Sequence, residues 1–437
     1  MRSVRFNATD RHIFGIAVPA LVALISEPLM VVADTAIVGH LGTTPLAGLA
    51  IASTILNTLV GLCIFLAYGS TAAVARSHGA GAEREAHGMA VSGLWLAAGI
   101  GAVLALLVVA AARPVTSRMA SSSGVADQAH TYLVITALAL PAMLMCLAAT
   151  GALRGELDLR TPLIITVAAN LANIGLNVWL VYGVRLGIAG SALGTALAQW
   201  GAALAMGGIV LARARRSGAA VRPHPAAVLS AARDGMPLLA RTVTLRIALL
   251  LPTILAARMG DAPLAAHQVA MAMVTFVAYG LDSIAIAGQT LTGRTLGAGD
   301  AAATRRLSRR MVGWGLVTGA VAGSVLALAA PLLAVAFSAD PAVHSALRPV
   351  LLVVAVIQPL SGIVFVLDGI LIGAGDGRYL AVAGIITLAA YAPLALALAG
   401  GGFTWLWVAY GGFMLARFVT LAVRARSERW MVLGQQR

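Results

Sequence analysis

A chain of 437 residues, 60% of them hydrophobic and 11% charged, with a mean hydropathy of +0.92, cannot be a water-soluble globule, which carries about a quarter of its residues as charges. The composition is that of an all-α polytopic membrane protein. Its net charge of +14 comes from arginine, since lysine is absent, and these arginines stand at the ends of apolar runs rather than along one face with aromatics between them. That placement argues against nucleic acid as a partner.

Read with a window of about 20 residues, the chain gives twelve predicted spans. They run over 13–38, 46–73, 89–111, 128–152, 162–183, 188–212, 235–257, 264–292, 311–333, 347–373, 380–399 and 404–423. The first run is too long for the apolar core of a signal peptide and is read as a retained helix. The longest polar interruption, ARARRSGAAVRPHPAAVLSAARDG, falls between spans six and seven. It divides the chain into an N-terminal six-helix lobe at 1–212, a linker at 213–234 and a C-terminal lobe with a short basic tail at 235–437. With the N-terminus in the cytoplasm, the cytoplasmic segments hold 22 of the 30 arginines, so the positive-inside bias places both termini there.

Ionisable residues inside spans are costly and mark pathways. In span one these are Glu27 and Asp34, seven apart and on one helix face. At about 1.5 Å per residue, Asp34 lies roughly 6 to 8 Å from the outer end of span one, Asn177 roughly 9 Å from that of span five, Thr195 roughly 10 Å into span six and Tyr132 roughly 6 Å into span four. Four polar groups from four helices therefore share one layer. Asn170, Asn173 and Asn177 form one stripe along span five. The alternative for asparagine and threonine is a bridge between helices, and for Asn170 the two readings are balanced. In the second half Asp282, Asp368 and Arg241 lie toward the cytoplasmic ends of their spans and are read as a structural ion-pair cluster. Arg246, near the middle of span seven, needs an acid, a carbonyl, water or an anionic part of a substrate. Cys63 and Cys146 lie in apolar segments and are read as small hydrophobes.

The chain repeats itself. HLGTTPLAGLAIA at 40–52 aligns with RMGDAPLAAHQVA at 258–270, and GALRGELDLR at 151–160 with GILIGAGDGR at 369–378, at one ungapped offset of 218. The same shift lays Pro19 on Pro237 and Arg76 on Arg294. Six spans per repeat return the chain to its starting side, so the halves are parallel repeats, one of the transporter architectures. Glycines in GAGAE at 79–83 and GAGDA at 297–301 follow helix ends and are read as C-caps rather than phosphate cradles. Without lysine there is no G-x-x-x-x-G-K-[ST] loop, and no H-E-x-x-H or Cys/His cluster stands in the chain. Transport is then ion-driven or passive, with no cofactor and no enzymatic role.

The stretches SEPLMVVADTAIVGHLGTTPLAGLAIA, GALRGELDLRTP, NIGLN, LAAHQVA, YGLDSIAIAGQTLTGRTLGAG and VLDGILIGAGD resemble the multidrug and toxic compound extrusion (MATE) family, in its DinF-like branch, across essentially the whole chain. The resemblance implies twelve helices in two V-shaped six-helix lobes, a central cavity, and export of amphipathic, often cationic, organic compounds in exchange for protons or sodium ions. It implies a monomer in the lipid bilayer of a bacterial cytoplasmic membrane. By resemblance, the N-lobe cation site matches Asp34, Tyr132, Asn173 and Thr195, and the bending proline of helix one matches Pro19. Where many relatives carry a second aspartate, NIGLN ends on Asn177, which cannot hold a proton or supply negative charge. Protons are therefore the favoured coupling ion, with sodium held by Asp34, Asn173, Asn177 and Thr195 as the alternative. A flippase for a lipid-linked precursor is the alternative function, but it should show several arginines in the cavity and spans beyond twelve, and here only Arg241 and Arg246 qualify.

Overall fold

A backbone in hydrocarbon has no water to pair with, so each apolar run must satisfy its N–H and C=O groups internally, as a helix. The computed structural model describes residues 8–434, and these form fourteen α-helices joined by short turns. The first eight are α1 Ala8–Gly39, α2 Thr43–Leu62, α3 Phe65–Gly79, α4 Glu83–Met119, α5 Ser123–Ala137, α6 Leu140–Gly155, α7 Arg160–Val178 and α8 Ile188–Arg216. One π-helical turn, Trp179–Gly183, extends α7. Then come α9 Pro225–Met259, α10 Asp261–Gly297, α11 Ala301–Phe337, α12 Pro341–Gly373, α13 Gly377–Ala399 and α14 Phe403–Arg426.

Among the described residues eleven runs are long and apolar enough to cross a membrane, and the bent pair α5 and α6 brings the number to twelve. The predicted fourth span is thus two helices meeting at 50°. Pro141, second in α6, lacks the N–H that would continue α5, and its ring crowds the carbonyl four residues back. The predicted second span is likewise α2 and α3, separated at Cys63 and Ile64. The caps read from the sequence are present: Gly81 and Gly299 both close their helices at φ 75.

By contacts the chain forms two units, Val22–Gly235 and Met1–Leu21 with Met236–Arg437. Two helices pass from one unit to the other, α1 two residues after Pro19 and α9 just before Pro237, the prolines that the repeat superposes. In the first unit α6 packs on α3 and α4, α7 on α8 and α2 on α5; in the second α12 packs on α10, α11 and α14. Small residues set these approaches. A Cβ at Gly151 would collide with the Ala67 backbone of α3, and one at Gly369, its repeat partner, with the Ala285 backbone of α10. The two lobes are therefore assembled on one plan. In each unit the turns after the second, fourth and sixth spans of the repeat, near 80, 156 and 217 or 298, 374 and 427, lie at one end, called here the arginine-rich end.

Candidate coupling site

In the first lobe four helices bring polar side chains into one buried layer. Asp34 comes from α1, Tyr132 from α5, Asn173 and Asn177 from α7 and Thr195 from α8, each 5% exposed or less. Asn177 Nδ2 donates to Asp34 Oδ1 at 2.6 Å and to Asn173 Oδ1 at 3.2 Å. Asn173 Nδ2 donates in turn to Thr195 Oγ1 at 3.0 Å. The two asparagines stand one helical turn apart, so one relays what the other receives. The Tyr132 hydroxyl stands among the hydroxyls of Thr195, Thr136 and Ser191.

Two glycines make room for this layer. A Cβ at Gly190 would strike the Leu180 backbone, and one at Gly194 would strike the side-chain amide of Asn177. The Asn177 Oδ1 atom is buried without a hydrogen-bond partner among the described residues. Asp34 has no arginine or histidine partner among the described residues, so its compensation is one amide N–H. That is little for a carboxylate in an apolar surrounding.

The other polar residues of this lobe are placed differently. Glu27, on the same helix, is exposed and has no hydrogen-bond or ion-pair partner among the described residues. Asn170 Nδ2 donates to the Ser26 carbonyl at 3.2 Å, a bridge between α7 and α1.

In the second lobe Asp368 of α12 is clamped. Arg241 of α9 donates to it through Nε at 3.1 Å and through Nη2, and Arg417 of α14 donates through Nη2 at 3.1 Å. All three side chains are nearly buried. Arg417 was missed by the sequence reading, although an arginine inside the last span had to find an acid. Asp282 is half-buried on α10, while Arg246 is exposed and has no polar partner among the described residues.

Both lobes are fastened at the arginine-rich end by matching clasps, also missed from sequence. In the first, Arg213 near the end of α8 pairs with Glu156 and Asp158, and His87 of α4 joins Glu156 at 3.3 Å and Ser217 at 2.9 Å. In the second, Arg424 near the end of α14 pairs with Asp376 at 2.6 Å, and Arg305 of α11 with Glu428 at 2.8 Å. Burial alone would raise the Asp158 carboxyl, but Arg213 together with the Thr161 N–H and hydroxyl outweighs it and holds the group below the usual carboxylate value. A depressed carboxyl stabilises the fold above its unfolded pKa, and this contribution is lost as pH falls through the folded one.

The MatE family model matches residues 19–179 and again 237–397, two segments at the offset of 218. The chain belongs to the MatE family. This MATE transporter is 30% identical to DNA damage-inducible protein F of Escherichia coli strain K12 over 95% of its own length and 92% of that protein. Its fold matches a MOP superfamily transporter from Pyrococcus furiosus at a TM-score of 0.86 and 19% identity, covering 97% of each chain. It also matches a mutant of the Vibrio cholerae MATE transporter VcmN at 0.87 and 20% identity, covering 97% of this chain and 98% of that one. As a MATE transporter the protein moves small organic compounds out across a membrane and is not an enzyme.

Proposed function

We propose that the transporter is a proton-coupled antiporter that exports amphipathic, often cationic, organic compounds, works as a monomer, and lies in a bacterial cytoplasmic membrane with both termini inside. The observation that carries the reading is Asp34: a buried carboxylate with no cationic partner among the described residues, held by the amide of Asn177 at 2.6 Å. Where a second carboxylate would favour sodium, Asn177 supplies an amide, and an amide can serve both protonation states of its neighbour. Toward an ionised Asp34 it presents Nδ2 as donor. Toward a protonated Asp34 a half-turn of the amide presents Oδ1, the atom that otherwise has no partner among the described residues. That half-turn withdraws Nδ2 from Asn173 and loosens the chain to Thr195. Pro19, two residues before α1 leaves one unit for the other, is the point at which the helix bends in response. The arginine-rich ends, with 22 of the 30 arginines read as cytoplasmic, support the orientation.

The test is dye efflux from vesicles under imposed proton or sodium gradients. A proton gradient should drive efflux in the wild type, and a sodium gradient alone should not. Asp34→Asn should fold normally and fall to passive leak under either gradient. Wild-type efflux in the mutant would remove Asp34 from coupling, and efflux driven by sodium alone would replace protons with sodium in this account.

A further inference from the structure

The repeat sets His87 of α4 on Arg305 of α11, 218 residues on. Both side chains reach from the third span of their lobe to the end of its last helix, where a serine follows the helix: Ser217 after α8 and Ser427 after α14. Arg305 grips Glu428, the residue after its serine, through Nε and Nη2, each at 2.8 Å. His87 reaches the serine itself, with Nδ1 2.9 Å from Ser217 Oγ, while its Nε2 stands 3.3 Å from Glu156 Oε1. A permanent cation in one lobe is matched by a titratable ring in the other.

The protons available at this contact give the ring a charge. Ser217 has one hydroxyl proton and donates it to the Ala214 carbonyl at 3.0 Å, as Ser427 donates its own to the Arg424 carbonyl at 2.8 Å. Nδ1 must then be the donor to Ser217 Oγ. Nε2 faces a buried carboxylate oxygen that has no hydrogen bond among the described residues, so it carries a proton as well. A ring protonated at both nitrogens is an imidazolium. Charge balance agrees. The second clasp sets Arg305 and Arg424 against Glu428 and Asp376. The first sets Arg213 against both Glu156 and Asp158, and reaches the same balance when His87 is charged. The need is greater in the first lobe, because the His87 and Glu156 side chains are 11% and 8% exposed, against 44% and 51% for Arg305 and Glu428. The elements around this end of α4 also carry Arg76 and His78 on α3, Arg154 on α6, Arg215 and Arg216 on α8, Arg222 and His224 in the segment after α8, and Glu83, Arg84 and Glu85 in the first turns of α4 itself. Helices α3, α6 and α8 contain no acid, which leaves Glu156 and Asp158, in the turn after α6, as the anions opposite the ring.

We propose that His87 is a second proton-binding site of this transporter, separate from Asp34, and that its proton decides whether the start of the segment after α8 is held to α4. Loss of the proton breaks one contact whichever nitrogen gives it up. If Nε2 is bared, its lone pair faces the Glu156 carboxylate; if Nδ1 is bared, Ser217 must turn its proton away from Ala214 to meet it. The clasp is closed while His87 is charged and opens as pH rises, the opposite sense to Asp158, whose contribution is lost as pH falls. Trp95 Nε1 donates to the Val221 carbonyl at 3.1 Å in either state, so the stretch that loosens is residues 217–220. None of this rests on proton coupling at Asp34.

The test uses full-length protein in lipid nanodiscs with nitrogen-15 in its histidine rings, the His87 signals being those that His87→Gln removes. Both ring nitrogens should be protonated at about pH 5.5 and one should be bare at about pH 8.5, on either side of the range in which histidine changes charge. A ring that is neutral at both values, or charged at both, overturns the proposal. Amide exchange reads the consequence. Corrected for its intrinsic pH dependence, exchange at residues 217–220 should rise on the order of tenfold over this interval, the effect of one hydrogen bond to a charged group. Exchange at Ser427, beside the permanently charged Arg305, should stay level. His87→Arg should keep residues 217–220 protected at the higher pH, and His87→Gln should leave them unprotected at the lower one. Level exchange there in the wild type, or a rise that survives in His87→Arg, overturns the latch. Adding Asp34→Asn should leave the His87 signals unchanged; altered signals would make the ring part of the coupling layer and would overturn its standing as a separate site.

Discussion

The two lobes share a scaffold and differ in where they put their polar groups. Asn173 of α7 has Tyr391 of α13 as its repeat partner, and Asp34 has Pro252. Thr195 and Tyr410 each stand seven residues after the first residue of their helices, α8 and α14. Where the first lobe has a chain of amides and a hydroxyl, the second has packed rings: Tyr391 lies 5.1 Å from Phe413, and Tyr410 lies 5.6 Å from Trp407. The reverse holds at the other end. Asp368 is clamped by two arginines, and its repeat partner in the first lobe is Thr150. Asp34 and Asp368 each sit five residues before the end of their helices, but the end of α12 is at the arginine-rich end of its own unit and the end of α1 is not. Duplication thus supplied two equal frames, and divergence left one with an acid held by an amide and the other with an acid locked between cations. A locked charge holds helices together, whereas a lightly compensated one is available to exchange a proton.

The sharpest way to break this contrast is to remove the locked acid. Asp368→Asn removes the carboxylate that Arg241 and Arg417 share, and breaking a buried pair on one side costs about 3–5 kcal/mol. Thermal unfolding in nanodiscs should show a large loss of stability, while Asp34→Asn should show little. If Asp368→Asn keeps wild-type stability and loses transport, the second-lobe cluster belongs to the mechanism and the proposed division of labour between lobes is wrong.

A smaller effect separates the matched positions Asn173 and Tyr391. Asn173→Ala strips Asn177 and Thr195 of a partner in a buried layer and should cost about 1–3 kcal/mol. Tyr391→Phe removes a hydroxyl that is buried and has no hydrogen-bond partner among the described residues, so it should be neutral or slightly stabilising. Equal losses in the two variants would mean that the aromatic cluster hides a polar network of its own.

How much of this was legible in the sequence follows from which interactions are periodic. The repeat and the polar layer were, because an offset of 218 and a depth of 1.5 Å per residue need no tertiary information. The stripe at 170, 173 and 177 was legible as a face, but not that Asn170 turns to the Ser26 carbonyl while Asn177 turns to Asp34. Sharing a face did not keep Glu27 and Asp34 in one environment either, since only Asp34 is covered. The clasps were illegible for another reason. Arg213 and Asp158 are 55 residues apart, and the count of arginines that fixed the orientation treated each as a charge near a membrane rather than a partner for a particular acid. The bend between α5 and α6 had a signal in Pro141, which a hydropathy window averages away.

The smallest predicted effect concerns the turn that both clasps share. After α6 the chain reads Glu156, Leu157, Asp158, and after α12 it reads Ala374, Gly375, Asp376, with the same pair of closing hydrogen bonds: Leu157 N to Arg154 O and Asp158 N to Leu153 O, against Gly375 N to Ile372 O and Asp376 N to Leu371 O. The middle residue is left-handed in both, at φ 67 for Leu157 and φ 72 for Gly375. A leucine there costs about 1–2 kcal/mol that a glycine does not, because its Cβ crowds the following carbonyl. Glycine in turn gives back part of that gain by widening the unfolded ensemble, by about 0.4–1 kcal/mol. Leu157→Gly should therefore raise stability by roughly 0.5–1 kcal/mol, and Gly375→Leu should lower it by about the same amount, with transport unchanged in both. Leu157 is only half-buried, so little packing opposes the change. If Leu157→Gly lowers the unfolding midpoint instead, the leucine side chain is holding the first-lobe clasp in place, and the two turns are alike in backbone but not in what stabilises them.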